Sequence, residues 1–200
     1  MKGLLTLTAQ GTLVVLCALC TACNALLPNC REAYHAHQWP LLSSSARMPR
    51  TEGYYISLDG QGCFAIYGNG RFKKVSLVMP DGKAFWAASE TERMRLIESA
   101  SIRPGDGWGD FSVDGDHFRG QFFNRNIDEV CVRNVFEYQG LVLNDSTIAV
   151  QSIYMHWKGE TFMNTPNTFR FFPTEQRPDQ SCSWLYTKSW YRNKLHFSRM

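Results

Sequence analysis

Short β-rich runs separated by turn signals recur from residue 53 almost to the C terminus, and this pattern limits the fold more than any other feature of the sequence. The runs GYYISL (53–58) and CFAIY (63–67) are joined by DGQG, which is typical of a hairpin turn. Further turn signals follow at GNG (68–70) and PDG (80–82). The spacing predicts about eight to ten strands, and therefore an antiparallel barrel or sandwich rather than a parallel α/β fold.

The clearest hairpin covers residues 108–123, where WGDFSV and HFRGQFF flank the turn DGD. Because alternate residues of a strand point to the same side, each of these runs predicts one apolar face. The runs EVCVRNVFEYQG (129–140) and STIAVQSIYMHW (146–157) continue the pattern. Aromatic side chains are thus predicted to face the interior, as its core or as the wall of a ligand cavity: Phe111, Phe118, Phe122, Phe136 and Tyr154.

Two further elements complete the predicted domain. Ser89 and Glu92 form a capping box that begins a helix over SETERMRLIESA (89–100), which we expect to lie across a barrel end or a sheet face. The alternation in CSWLYTKSWY (182–191) predicts a closing strand. Its aromatic residues, interleaved with the basic residues that follow, would also suit an anionic membrane surface.

The N terminus predicts a protein that is exported and then held on a membrane. Lys2 precedes an apolar run that ends at Cys20, and two small residues precede Cys23, which is the order of a signal peptide over residues 1–22. A membrane-spanning helix needs about 20 apolar residues, and this run is shorter. The stretch resembles the lipobox of bacterial lipoproteins, which implies lipidation of the Cys23 sulfur and attachment to a membrane surface.

Two other interpretations of the leader were weighed against lipidation. An ordinary cleaved secretion signal would use cysteine as a small hydrophobic residue. The C-x-x-C spacing of Cys17, Cys20 and Cys23 is also found in iron–sulfur proteins, but the closing C-x-x-x-C-P of such a run is missing here. We therefore expect the leader to be an export signal and not a cluster site.

Residues 23–50 predict a flexible tether with no sustained periodicity, followed by one β domain over residues 51–200. His35 and His37 lie in the tether without enough ligands for a metal site, so no metal is predicted. Removal of residues 1–22, with one lysine and no acid, lowers the formal net charge from +3 to +2, too little to indicate a nucleic-acid partner. Four cysteines could form two disulfides, in any of three connectivities, or remain buried thiols: Cys30, Cys63, Cys131 and Cys182.

Several stretches of the chain together resemble a known family. They are GYY (53–55), IYGNGRF (66–72), WGDFSVDGDHFRGQFF (108–123), GLVLNDSTI (140–148) and FRFFPTEQRPDQSCSWLY (169–186). Over about residues 51–192 they are similar to the lipocalin-like (calycin) domains of bacterial envelope lipoproteins. The resemblance implies an all-β fold with minor α, a barrel of about eight antiparallel strands with one short helix, on the periplasmic face or outer membrane of the cell envelope. Tyr55 stands where lipocalins usually have tryptophan, and their Thr-Asp-Tyr turn is absent, so the resemblance does not extend to these two motifs.

The sequence contains no nucleophile elbow, phosphate loop, zinc-peptidase helix or dinucleotide fingerprint. The nearest approach to a reactive cluster is His117 with four acids: Asp110, Asp114, Asp116 and Asp128. The hairpin turn explains Asp114-Gly115-Asp116 without catalysis. We predict a protein that is not an enzyme, has no cofactor, and binds a small apolar ligand or acts as an accessory module. The alternative is a structural or assembly protein of the envelope with a filled barrel; a hydrolase is third.

Overall fold

The computed structural model describes residues 33–39, 47–77, 85–100, 106–125, 133–163 and 166–191. Cys23 and the rest of the predicted leader lie outside these residues. Within them the chain forms nine strands: β1 Gly53–Ser57, β2 Cys63–Ile66, β3 Arg71–Val75, β4 Trp108–Asp114, β5 His117–Arg125, β6 Arg133–Asn144, β7 Thr147–Met155, β8 Glu160–Met163 and β9 Asn167–Pro173.

The strands close into a barrel because β1 to β7 each pair antiparallel with the next, and β9 pairs with both β7 and β1. Pairing follows chain order from β1 to β7. β8 and β9 lie end to end along one edge of β7, opposite its residues 153–155 and 147–150 respectively. β9 then pairs with β1 over Gly53–Ser57. The predicted all-β fold, a closed antiparallel barrel with eight strand positions and one short helix, is confirmed.

The helix α1, Glu90–Ser99, begins where the capping box predicts. The Oγ of Ser89 accepts a hydrogen bond from the backbone N of Glu92 at 3.3 Å. Leu96 and Ile97 are buried in an apolar cluster on the outside of the sheet, together with Tyr54 of β1. The helix therefore packs on a sheet face and covers the outward side of the strands.

A second apolar cluster fills the inside of the barrel, and alternation along the strands separates the two. Phe111 and Phe118 lie in this inner cluster, as predicted from the hairpin. Phe122 also lies there, and Phe136 is half-buried against it. The strands β1 and β2 are buried along their whole length because the inner cluster covers one face and the outer cluster the other.

Tyr154 was predicted to face the interior, and this prediction is wrong. The pairing of β6 with β7 shifts between Gln139, which lies opposite Ser152, and Gly140, which lies opposite Val150. Gln151 is the extra residue of a β-bulge, and one extra residue moves every following side chain to the other face. Tyr154 consequently lies opposite Glu137 on the outer face, where its ring contacts that of His156.

Two predictions for the chain ends are also wrong. Residues 182–191 form no closing strand: they contain the end of a 3-10 helix, Gln180–Cys182, and a second one, Trp184–Thr187. β9 pairs with β1 and closes the barrel, so both edges of β1 and of β9 are already paired and residues 182–191 cannot close it. Residues 33–39 are not a free tether, because Tyr34 and Ala36 are buried against the outer face of the barrel.

Candidate functional site

Aromatic rings occupy most of the barrel interior. Phe64 lies at the centre of this ring stack, fully buried, with five ring centroids between 5.0 and 6.1 Å from its own: Tyr55, Phe72, Phe118, Tyr138 and Phe169. Side chains that interdigitate in this way leave little free volume. The middle of the barrel is therefore filled by the protein itself.

The rings stop short of one end of the barrel, and a half-open pocket of about 390 Å³ lies there. We call it the mouth pocket. Its apolar side is lined by Phe122, Phe136, Tyr138, Ile153, Phe162 and Phe169. Its polar side is lined by Asp59, Gln61, Gly62, Lys74, Asn124 and Asn167. Of the predicted interior residues, Phe122 and Phe136 reach this pocket, whereas Phe111 and Phe118 lie in the inner cluster away from its lining.

The β1–β2 loop holds one acid at the rim of the pocket. The carboxylate of Asp59 accepts hydrogen bonds from the Oγ of Ser57 at 2.5 Å, the backbone N of Gln61 at 3.0 Å and the Nδ2 of Asn167 at 3.1 Å. Partial burial alone would raise the pKa of Asp59, but these hydrogen bonds outweigh it and lower the pKa below its usual value. The carboxylate thus stays ionised and ties the loop to β9.

Lys74 is the cation of the mouth pocket, and it was not among the site residues predicted from the sequence. Lys74 lies on β3, directly opposite Phe64 of β2. Because paired residues point to the same side of a sheet and Phe64 belongs to the inner cluster, the side chain of Lys74 is on the inner face of the barrel. Burial lowers the pKa of its amine below the usual value. The run RFKKV is typical of a charged surface strand. Lys74 nevertheless lies two residues after the apolar Phe72, and residues two apart in a strand point to the same side, so this spacing was the signal for an inward Lys74.

A separate polar network lies on the outer face, around Glu137. Its carboxylate is bound by Gln121 at 2.6 Å, Gln139 at 2.7 Å, Arg119 at 3.0 Å and His156 at 3.1 Å. Burial alone would raise the pKa of Glu137, but the hydrogen bonds and the arginine charge lower it to about 2.

The network also holds residues 33–39. The Oε1 of Gln121 accepts hydrogen bonds from the backbone N of His35 and of Ala36, both at 2.8 Å. The guanidinium of Arg119 lies 4.2 Å from the ring centroid of Trp39. The network therefore fastens this segment to the barrel.

The acids named from the sequence do not gather around a pocket. Asp114 and Asp116 flank the exposed β4–β5 turn, where Gly115 adopts a φ of 61°, so the turn interpretation holds for this segment. Asp110 instead forms a buried pair with Arg71 at 3.3 Å and accepts hydrogen bonds from the hydroxyls of Tyr34 and Tyr191. Asp128 lies outside the described residues.

Of the four cysteines predicted to form disulfides or remain buried thiols, the structure shows the state of one. Cys63 is a buried free thiol on the outer face of β2, and burial raises its pKa well above the usual value. Cys30 and Cys131 lie outside the described residues, and Cys182 ends a 3-10 helix. Among the described residues no three histidine, cysteine or acidic side chains are grouped to hold a metal. The helices in the same residues include none long and apolar enough to cross a membrane.

The fold and the site together define a class: a closed antiparallel β-barrel with a filled middle and a small amphipathic pocket at one mouth. Comparison of the chain with protein-family models, with curated proteins and with solved structures gives no match.

Proposed function

We propose that this chain is a lipid-anchored binding protein of the bacterial cell envelope, with a lipocalin-like barrel that holds the apolar part of a small ligand in its mouth pocket. One observation carries the binding proposal: the ring stack ends at Phe169 and Tyr138 and leaves a lined volume of about 390 Å³. Small-molecule pockets commonly measure about 300–1,000 Å³ and combine apolar walls with a few polar groups.

The anchor proposal rests on the leader alone. Attachment would come from the acyl chains on Cys23, and burial of these chains contributes about 0.8 kcal/mol per CH₂. Mass spectrometry of the mature N-terminal peptide tests it, with the Cys23→Ser variant as the control. A diacylglyceryl mass on Cys23 supports the anchor, whereas an unmodified residue there, or an intact leader, rejects it.

Ligand binding is tested by filling the pocket. The Ile153→Trp variant places a large ring in the apolar wall, and Leu143→Trp places the same ring at an exposed site near the opposite end of the barrel. We expect the native chain to bind 1-decanol in a calorimetric titration, Ile153→Trp to lose this binding, and Leu143→Trp to keep it. Equal 1-decanol binding by the two variants would show that the ligand does not bind in the mouth pocket.

The second candidate is a structural or assembly protein of the envelope that takes no small ligand. The filled middle of the barrel favours it, because Phe64 and its neighbours leave no room for a ligand at depth. On this alternative the native chain does not bind 1-decanol, and deletion of the protein changes the set of envelope proteins that co-purify with one another. An unchanged set of co-purifying proteins would count against it.

A further inference from the structure

The mouth pocket contains one cation, Lys74, that forms an ion pair with none of the described residues. Strand β3 carries three cations, Arg71, Lys73 and Lys74, and the two that point outward have partners. Arg71 pairs with Asp110 at 3.3 Å, and the Nζ of Lys73 donates to the backbone O of Asp106 and lies 5.0 Å from the ring centroid of Trp108. Lys74, the next residue of the strand, points inward and forms no ion pair or side-chain hydrogen bond with any described residue.

The one acid among the described lining residues hydrogen-bonds to other groups and forms no ion pair with Lys74. Asp59 is the only carboxylate among the described residues that line the pocket. Its two oxygens already accept three hydrogen bonds, from Ser57, Gln61 and Asn167. Within the described part of the chain, the pocket therefore offers a partly buried ammonium without an ion-pair partner, next to an apolar wall.

We propose that Lys74 binds the carboxylate head of a small amphipathic ligand whose apolar body packs on Phe136, Ile153 and Phe162. This inference rests on the proposed binding function and names the ligand class for the same pocket. An anion that enters a partly dehydrated site beside a cation is attracted more strongly than in water, because the local dielectric is lower. At roughly 30 Å³ per water-sized group, 390 Å³ holds about a dozen non-hydrogen atoms, which suits a chain of medium length.

The head group is tested with two probes that share one chain length, decanoate and 1-decanol. Calorimetric titration uses the full chain with Cys23→Ser, which removes the proposed lipid. A hydrogen bond to a charged group changes affinity by roughly tenfold to a hundredfold, so we expect decanoate to bind tighter than 1-decanol by that factor. This comparison needs no change inside the pocket. Equal affinities would overturn the assignment of Lys74 while leaving the apolar pocket in place.

Variants then assign the charge to one residue. Lys74→Met should lower decanoate affinity by roughly tenfold to a hundredfold and leave 1-decanol affinity unchanged, while Lys74→Arg keeps most of the decanoate affinity. Lys158→Met removes the same charge from the exposed β7–β8 turn, outside the pocket lining, and should change neither affinity. A loss for Lys158→Met equal to that for Lys74→Met would show a general charge effect and overturn the proposal. Binding of neither probe by native protein would instead reject the binding function itself.

Discussion

Removal of one ring from the barrel interior tests whether the ring stack supports the fold. Phe64 is fully buried, and its ring centroid lies 5.1 Å from that of Phe72 and 5.0 Å from that of Phe169. In the Phe64→Ala variant the five neighbouring rings remain attached to five different strands: β1, β3, β5, β6 and β9. Closed strand pairing limits how far these rings can move into the empty space.

The expected cost follows from burial and from this limited relaxation. Transfer of a buried phenylalanine side chain out of water is worth about 1.5–3 kcal/mol. A cavity that the surroundings cannot close raises the total for Phe→Ala to about 3–5 kcal/mol. Because five rings surround Phe64 and none is exposed at the surface of the barrel middle, we expect the upper half of that range.

Urea unfolding followed by tryptophan fluorescence measures this cost, with Phe162→Ala as the matched control. Phe162 is 70% exposed at the rim of the mouth pocket, so the same chemical change there should alter the free energy of unfolding by less than about 0.5 kcal/mol. A cost for Phe64→Ala below about 1 kcal/mol, at an unchanged m value, would refute the idea that the rings form a fixed core. Phe64 also contacts Phe169 and Tyr138 of the pocket lining, so the variant should admit longer ligands than decanoate.

Three further predictions concern other parts of the barrel. The pKa of Glu137 is lowered to about 2, so its ionised form contributes about 3 kcal/mol to the free energy of unfolding above about pH 4.3, and this contribution is lost as the pH falls toward 2. Urea unfolding across that range should show a slope that Glu137→Gln reduces, and an equal slope in the two proteins would contradict it. In Gly140→Ala the new Cβ would lie 2.0 Å from the backbone O of Ala149, so thermal unfolding should show a loss of about 1–3 kcal/mol, and an unchanged midpoint would contradict the clash. Cys63 should react with a thiol reagent only as fast as the chain unfolds, and rapid labelling of native protein would place it at the surface.

The barrel could be predicted because local signals and pairing agree over most of its length. In β4 and β5 the turn at Gly115 fixes the register, and Phe111 faces Gly120 across the hairpin, as alternation requires. The helix start was equally local, since the Ser89 cap needs only its own segment. Where residues close together in the chain decide the local structure, as at this hairpin turn and this helix cap, the sequence pattern is sufficient to predict it.

The errors arise where distant contacts decide the structure. The bulge at Gln151 has no turn residue to announce it, so period-two counting placed Tyr154 on the wrong face. The segment around Tyr34 contains prolines and lacks periodicity. The hydroxyl of Tyr34 nevertheless donates a hydrogen bond to the carboxylate of Asp110, 76 positions further along the chain. Such a contact exists only after β4 and β5 have formed, and composition cannot reveal it.

The same bulge also shapes the candidate site. Before Gln151 the even-numbered residues Ile148 and Val150 face inward, and after it the odd-numbered Ile153 does. In a regular strand, with Gln151 paired like its neighbours, Tyr154 and not Ile153 would stand in the apolar wall of the mouth pocket, and a phenol would lie where the structure places an aliphatic side chain. The position where simple alternation fails is therefore the position where the pocket acquires its apolar wall, which is expected if departures from a regular pattern are retained where they serve a site. Deletion of Gln151 would keep Ser152 opposite Gln139 and Ile153 opposite Tyr138, so it should remove the bulge and preserve 1-decanol binding; loss of binding by a variant that still folds would contradict this pairing.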